Sequence, residues 1–214
     1  MEMDLASLRV NYAQTSLDIT DVDPNPFHQF SKWFTEATQS KVKEPNAMVL
    51  STCGKDNFPE SRTVLLKGFD ENGFTFYTNY DSDKGKQLAE NNQCTLLFLW
   101  LDLERQVRIK GTASKVNRSE SEEYFHSRPR ESQIGAWTSP QSKEIPSRQY
   151  LETKYTTEVE KFADQEVISL PDFWGGYQIN PIEFEFWQGR PSRLHDRISY
   201  KRTEDNWNIV RLAP

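Results

Sequence analysis

The sequence predicts a mainly β fold with helical insertions. Three observations carry this: short β-branched and aromatic runs parted by turn residues fill positions 47–116, the same texture returns over the last quarter, and helical periodicity is confined to the stretches around them. A length of 214 residues allows one large domain or two small ones. The apolar share, 36%, lies below the roughly 45–50% of an average soluble domain, so the core is lean and burial against a second subunit would help it. Aromatic residues at 13% argue against disorder.

Met1 to Asp23 is polar and unperiodic and reads as a tail or a mobile lid, with a single domain over 24–214 behind it. Asn25 can cap a helix whose first turn suits Pro26 and whose apolar face is Phe27, Phe30, Phe34 and Ala37, running through Thr38. After Pro45 the period changes. Strands are predicted at Ala47–Cys53, Glu60–Phe69, Gly73–Asn79, Cys94–Leu101 and Arg105–Val116, separated by turn chemistry such as Gly54-Lys55-Asp56-Asn57 and Asn72-Gly73. That density of strands suits an antiparallel barrel or sandwich. Ser82 to Asn91 interrupts it as a short helix, and Ser119-Glu120-Ser121-Glu122 reads as a capping box opening a helix through Phe125 and His126 that Pro129 stops. A longer helix begins near Pro146, with Leu151, Tyr155, Val159 and Phe162 as a core or interface stripe. Strands at Tyr177–Ile179, Ile182–Trp187, Arg197–Arg202 and Trp207–Leu212 complete the sheet.

Several function classes are excluded. The longest apolar run, Leu96 to Leu101, is far short of the roughly 20 residues that span a bilayer. Acidic residues break up the first thirty positions, which do not read as a secretory signal. Cys53 and Cys94 suit reduced thiols in a cytoplasmic protein, and neither has a partner at metal-ligand spacing. A net charge of −6 disfavours nucleic acid. No glycine-rich dinucleotide fingerprint, P-loop or local hydrolytic triad is present.

Three stretches concentrate chemistry. In Arg193-Leu194-His195-Asp196-Arg197 an extended chain would put Arg193, His195 and Arg197 on one face, beside the aromatic wall of Phe186-Trp187. An edge strand guarded by charge has the same appearance, but Arg beside rings suits a planar anion. In Tyr124-Phe125-His126-Ser127-Arg128-Pro129-Arg130, followed by Ser132 and Gln133, hydroxyl and guanidinium donors and backbone amides near a helix end make a phosphate site, with His126 structural. Arg62 and Lys67 bracket an apolar strand, five apart and so on opposite faces, and Lys84 and Lys86 could add a phosphate contact.

Taken together, Arg62-Thr63-Val64-Leu65-Leu66-Lys67, Phe76-Tyr77-Thr78-Asn79, Glu104-Arg105-Gln106-Val107-Arg108, the Tyr124–Arg130 stretch, Ser132-Gln133-Ile134-Gly135-Ala136, Gln141-Ser142, Phe173-Trp174-Gly175-Gly176, Glu185-Phe186-Trp187-Gln188-Gly189, Arg193–Arg197 and Arg211-Leu212-Ala213-Pro214 resemble the pyridoxine/pyridoxamine 5'-phosphate oxidase family, from about Arg9 to the last residue. The resemblance implies an FMN-binding split β-barrel, homodimeric, with active sites across the subunit interface. It implies oxidation of pyridoxine or pyridoxamine 5'-phosphate to pyridoxal 5'-phosphate with dioxygen as acceptor, releasing hydrogen peroxide, and ammonia from the amine. By motif, Arg62, Thr63, Val64, Leu65, Leu66, Lys67, Tyr77, Thr78, Lys84, Gln106, Gln141, Ser142, Trp187 and Arg197 resemble FMN-contacting positions. Lys67, Tyr124, Arg128 and Ser132 resemble the substrate-phosphate site, Arg193 and His195 the catalytic residues over the ring, and Arg9 and Tyr12 a segment that closes over substrate. A phenazine-biosynthesis flavin oxidase of the same fold, and a noncatalytic flavin- or vitamer-binding module, are the competing readings; the four phosphate-directed donors disfavour the first and intact Arg193 and His195 the second.

One position departs from the family pattern: Ser82-Asp83-Lys84 stands where Ser-Arg-Lys is usual, placing an acid near the expected FMN phosphate. A like charge there weakens phosphate binding by something on the order of 1 kcal/mol. Asp83→Arg is therefore expected to lower the FMN dissociation constant measurably in a fluorescence titration, and an unchanged constant would remove the idea.

Overall fold

The computed structural model describes residues 11–204 and 206–214. Its elements in chain order are α1 (Pro26–Gln39), β1 (Ala47–Cys53), β2 (Pro59–Leu65), β3 (Gly68–Asp70), β4 (Gly73–Asn79), α2 (Asp83–Glu90), β5 (Gln93–Trp100), β6 (Arg105–Lys115), α3 (Arg118–Ser127), α4 (Arg130–Thr138), α5 (Arg148–Lys161), β7 (Trp174–Gln188), β8 (Asp196–Arg202) and β9 (Trp207–Leu212). Hydrogen bonding orders the strands β2-β1-β5-β6-β7-β4-β3, with β8 on β7 and β9 on β8. The chain packs into two compact units, one comprising the described part of Met1–Val49 with Thr95–Gly111 and Pro181–Pro214, the other Leu50–Cys94 with Thr112–Asn180. No helix among the described residues is long and apolar enough to cross a membrane.

The first unit is built around α1. The Asn25 side chain accepts the Phe27 amide at 2.9 Å, so the helix starts where the cap chemistry places it. Its apolar face buries Phe27, Phe30 and Trp33 against rings of β5 and β7: Phe30 on Phe98, Trp33 on Phe186, and Phe27 on Phe184, with centroids 5.0–5.3 Å apart. The second unit has its own cluster, Phe125, Ile134, Phe162, Ile168, Leu170 and Trp174.

The structure revises five of the expected elements. The predicted strand over Glu60–Phe69 is two, because β2 pairs with β1 while β3 pairs with β4, and the chain must leave one neighbour before joining the other at Leu66-Lys67. Tyr177–Ile179 and Ile182–Trp187 are instead one strand, β7. Its 174–179 half pairs with β4 and its 183–188 half with β8, so Pro181 falls at the changeover between those two partners, outside both registers. The capping box at Ser119 does not form. Asn117 is the cap residue of α3, and Ser121 turns its hydroxyl to the Gly176 amide at 3.1 Å. Pro129 ends α3 but also opens α4, a helix that went unpredicted because Ile134 is its single large buried apolar residue. Last, 193–197 is not extended: a 3-10 turn covers Pro191–Arg193, with left-handed Ser192 and Arg193, and β8 begins only at Asp196. In α5, Tyr155 packs against the second unit's cluster and Phe162 just beyond the helix is buried, whereas Val159 is exposed.

Gly85, in α2, lies against the main chain of Tyr80; a Cβ there would come within 2.2 Å of the Tyr80 carbonyl oxygen. Alanine is the better helix former in isolation. Here Gly85→Ala is nevertheless expected to destabilise the chain by about 2 kcal/mol through overpacking, read as a lower urea midpoint at unchanged m-value.

Candidate functional site

The second unit holds a cavity of about 730 Å³ lined by β2, the end of β4, Lys84 of α2, the ends of α3 and α4, and the following loop to Gln141. That volume lies in the range of small-molecule sites. Four cationic side chains line it, Arg62, Lys67, Lys84 and Arg128, and two of them, Lys84 and Arg128, shape its chemistry.

The first is Lys84. Ser82 caps α2 by accepting the Gly85 amide and donates its hydroxyl to the Asn79 carbonyl at 2.6 Å, which sets the helix start against the end of β4. Lys84 is thereby 9% exposed, and its ammonium donates to the Gln141 side-chain carbonyl at 2.9 Å and to the Thr78 and Ser82 hydroxyls at 3.3 and 3.4 Å. All three acceptors are neutral. Burial lowers the Lys84 pKa, the nearby Arg62 guanidinium lowers it further, and Asp83 works the other way. Arg62 itself is oriented by Thr52 Oγ1 and paired with the Glu60 carboxylate at 2.8 Å.

The second centre is Arg128. Its guanidinium carbon stands 4.7 Å from the Trp174 ring centroid and 5.7 Å from that of Phe125, and burial lowers its pKa. Its Nη1 is buried and has no hydrogen-bond partner among the described residues. A buried donor left unpaired costs about 1–3 kcal/mol, so the guanidinium that lines the cavity is under-satisfied in the empty protein. Beside it Tyr124 stacks on Tyr77 at 3.9 Å, the two rings lying near parallel to Trp174. Burial, then Glu120, pushes the Tyr77 phenol up to about 12, so it stays a neutral hydroxyl. The amides of Ser132 and Gln133 are already bonded to the Pro129 carbonyl, so they are not the free anion donors expected at this helix end.

The structure thus brings Arg62, Thr63, Val64, Leu65, Lys67, Tyr77, Thr78, Lys84, Tyr124, Arg128, Ser132 and Gln141 around one cavity. Arg62 and Lys67 share it, because β2 ends at Leu65 and the expected alternation stops there. Leu66 is buried, and Ser142, left-handed and exposed, is not among the lining residues. Asn79, Ala136, Ser139 and Trp174 also line it. Asn79, Ala136 and Trp174 stand in the motifs that carry the resemblance, yet none has the charge or hydroxyl that marked the other donors as anion-binding.

Gln106, Trp187, Arg193, His195 and Arg197 belong to the first unit. His195 accepts the Arg190 amide at Nδ1, 3.1 Å, and its ring lies 4.6 Å from Trp187 and 5.9 Å from Tyr12. In the neutral ring the proton is therefore on Nε2. Arg193 is exposed on the left-handed turn. Arg197 does not join these two as an open cationic face: its Nε donates to the buried Glu185 carboxylate at 2.9 Å, which raises its pKa, and Nη1 donates to the Ala213 carbonyl. Arg9 lies outside the described residues.

The strand order, with an anion-seeking cavity beside the end of β4, defines a split β-barrel protein. A pyridoxamine 5'-phosphate oxidase-related, FMN-binding protein from Nostoc punctiforme has this fold, with a TM-score of 0.69 at 15% identity over 89% of this chain and 98% of that one. Residues 34–160 match the pyridoxamine 5'-phosphate oxidase family model and 174–214 match the pyridoxine 5'-phosphate oxidase C-terminal dimerisation region. A pyridoxine/pyridoxamine 5'-phosphate oxidase from Crocosphaera subtropica is 56% identical over 99% of this chain and 100% of its own. PhzG from Burkholderia lata, solved with tetrahydrophenazine-1-carboxylic acid, superposes with a TM-score of 0.88 at 27% identity, covering 96% of this chain and 100% of that one. The chain belongs to the pyridoxine/pyridoxamine 5'-phosphate oxidase family.

Because burial lowers the Lys84 pKa, the folded chain holds that proton less tightly than the unfolded chain. Ligand-free stability is then expected to rise with pH between the lowered value and the ordinary lysine range. Lys84→Met should abolish this rise, stabilise the ligand-free chain by about 1 kcal/mol at neutral pH and reduce the stabilisation that added phosphate gives the parent, leaving the share bound at Arg128. Urea midpoints across pH, with and without phosphate, test all three.

Proposed function

We infer that this chain is an FMN-dependent oxidase that converts pyridoxine 5'-phosphate or pyridoxamine 5'-phosphate to pyridoxal 5'-phosphate. Dioxygen is the acceptor and hydrogen peroxide a product, with ammonia from the amine. The observation that carries the reading is the pair of cationic centres in one cavity, Lys84 with Arg62 and Arg128 with its unpartnered Nη1. Two anionic groups satisfy them, as a flavin phosphate and a substrate phosphate would.

In this reading Arg62 and Lys84 take the FMN phosphate, with Thr78 and Gln141 orienting the ammonium. Thr63, Val64, Leu65, Lys67 and Tyr77 complete the cofactor contacts of this cavity, and Leu66, Ser142, Gln106, Trp187 and Arg197 are cofactor contacts by motif alone. When bound, FMN supplies the redox chemistry, accepting hydride from the C4' carbon and passing electrons to dioxygen. The chain supplies position. Lys67, Tyr124, Arg128 and Ser132 grip the substrate phosphate, fixing the distance from that anchor to the reacting carbon. His195 holds a proton on Nε2 and offers it as a hydrogen bond to a ring substituent. Arg193 brings a permanent charge to the substrate face, and Arg9 and Tyr12 close over it to exclude water.

We also propose that two copies form a homodimer with active sites across the subunit interface, in keeping with the matched dimerisation region, and that the protein works in the cytoplasm with Cys53 and Cys94 as thiols. The phenazine-type reading is disfavoured by the phosphate-directed donors, and the 27% identity to PhzG is half that to the named oxidases.

Anaerobic mixing of the FMN-loaded protein with pyridoxine 5'-phosphate is expected to bleach the flavin absorbance, and admitting air to restore it with pyridoxal 5'-phosphate formed. Persistent yellow colour with both phosphorylated vitamers would overturn the reading.

A further inference from the structure

A buried acid in the first unit has no part in gripping an anion. Glu104 is 8% exposed and left-handed at φ 53°, just before β6. One of its carboxylate oxygens, Oε2, accepts two main-chain amides, Ala13 at 2.9 Å and Gln14 at 3.1 Å, while the Gln14 side chain donates to the Asp102 carbonyl. Its own carbonyl accepts the Gly189 amide at 2.7 Å and the Gln188 side chain at 3.2 Å. One residue therefore ties the 12–18 segment and the end of β7 to a single point. Beside that point Tyr12 meets Trp187 edge-on and lies 5.9 Å from His195. Gly189 leaves room for it: a Cβ there would come within 2.8 Å of the Tyr12 side chain.

A second clamp follows. Asp196 accepts the Leu17 amide at 3.0 Å and pairs with Arg211 at 2.7 Å, and Arg211 also donates to the Leu17 carbonyl and to Asp18. The segment has no helix or strand of its own. Its place against Trp187 and His195 is set by side chains outside it.

We propose that Glu104 is a positioning residue for the oxidation: by holding the amides of Ala13 and Gln14 it fixes Tyr12 against His195 and so sets the substrate-facing wall. The proposal rests on the reading that Tyr12 and His195 face substrate. A carboxylate suits the task because both amides need acceptors, and one oxygen at this spot satisfies both without a strand partner. Glutamine keeps one acceptor oxygen at the same reach, whereas alanine removes it.

The test is made on the FMN-loaded enzyme with Glu104→Ala, Glu104→Gln and Gly189→Ala, following KM and kcat for pyridoxine 5'-phosphate, FMN content and hydrogen exchange of the 11–18 peptide. Glu104→Ala is expected to speed exchange and raise KM roughly tenfold, the scale of one lost charge-assisted hydrogen bond, at unchanged FMN content. Glu104→Gln should return both toward the parent. Gly189→Ala, whose Cβ crowds Tyr12 and comes within 3.0 Å of the Glu104 Cβ while keeping the carboxylate group itself, should raise KM even if Glu104→Ala fails to fold. Faster exchange at unchanged KM in an active enzyme, or FMN lost in step with KM, would overturn the proposal alone. A parent enzyme inert toward both vitamers would overturn the functional reading and this proposal with it.

Discussion

Burying a cation without a carboxylate to match it is the constraint on which the site depends. The first unit matches its guanidinium groups with acids: Arg105 with Glu36, Arg108 and Arg197 with the buried Glu185, and Arg211 with Asp196 and Asp18. The cavity of the second unit does otherwise. Among the described residues Lys84 has neutral acceptors only, and Arg128 has ring faces beside it and a donor without an acceptor. Such an arrangement lowers the stability of the empty protein and favours any ligand that brings negative charge. Much of the local architecture serves to keep it: the Ser82 cap aims α2, Gly85 lets the helix press on Tyr80, and the Tyr77, Tyr124 and Trp174 rings exclude water beside Arg128.

Acids do the complementary work in the first unit. Glu104 and Asp196 accept main-chain amides of the 12–18 segment, and Glu185 restrains two arginines. A segment with no ladder of its own can be ordered only by outside acceptors, and the charged ones form the stronger bonds. Anion recognition and chain positioning thus fall to residues of opposite sign.

Much of this was legible where the signal is local. Strand β1 alternates half-buried and buried residues along its length, Asn25 caps α1, and Gly73 with φ 146° makes the turn that Asn72-Gly73 announces. What failed to show depends on partners distant in sequence. The break at Leu66-Lys67 exists because β2 and β3 have different neighbours, and β7 runs through Pro181 because its partner changes there. Ser192 and Arg193 adopt left-handed backbone without glycine, so the turn before His195 carried no mark. Among site residues the donors stood out, since Lys, Arg, Ser and Tyr near turns suggest anions. Glu104, Glu185, Asp196 and Trp174 did not, because their partners are other parts of the protein.

Asp83 changes meaning once its setting is seen. From sequence it is a like charge beside a phosphate. In the structure it is exposed, it occupies the first turn of α2, where an acid is favourable to the helix, and its field opposes the loss of charge that burial imposes on Lys84. An ammonium kept charged is what a phosphate needs, and a neutral amine would contribute far less. The repulsion that Asp83 brings to a bound phosphate is screened by solvent, whereas its support of Lys84 acts at the buried group itself. The acid therefore lowers affinity less than a charge count implies, and the balance between its two effects shifts toward support as pH climbs and Lys84 begins to lose its proton.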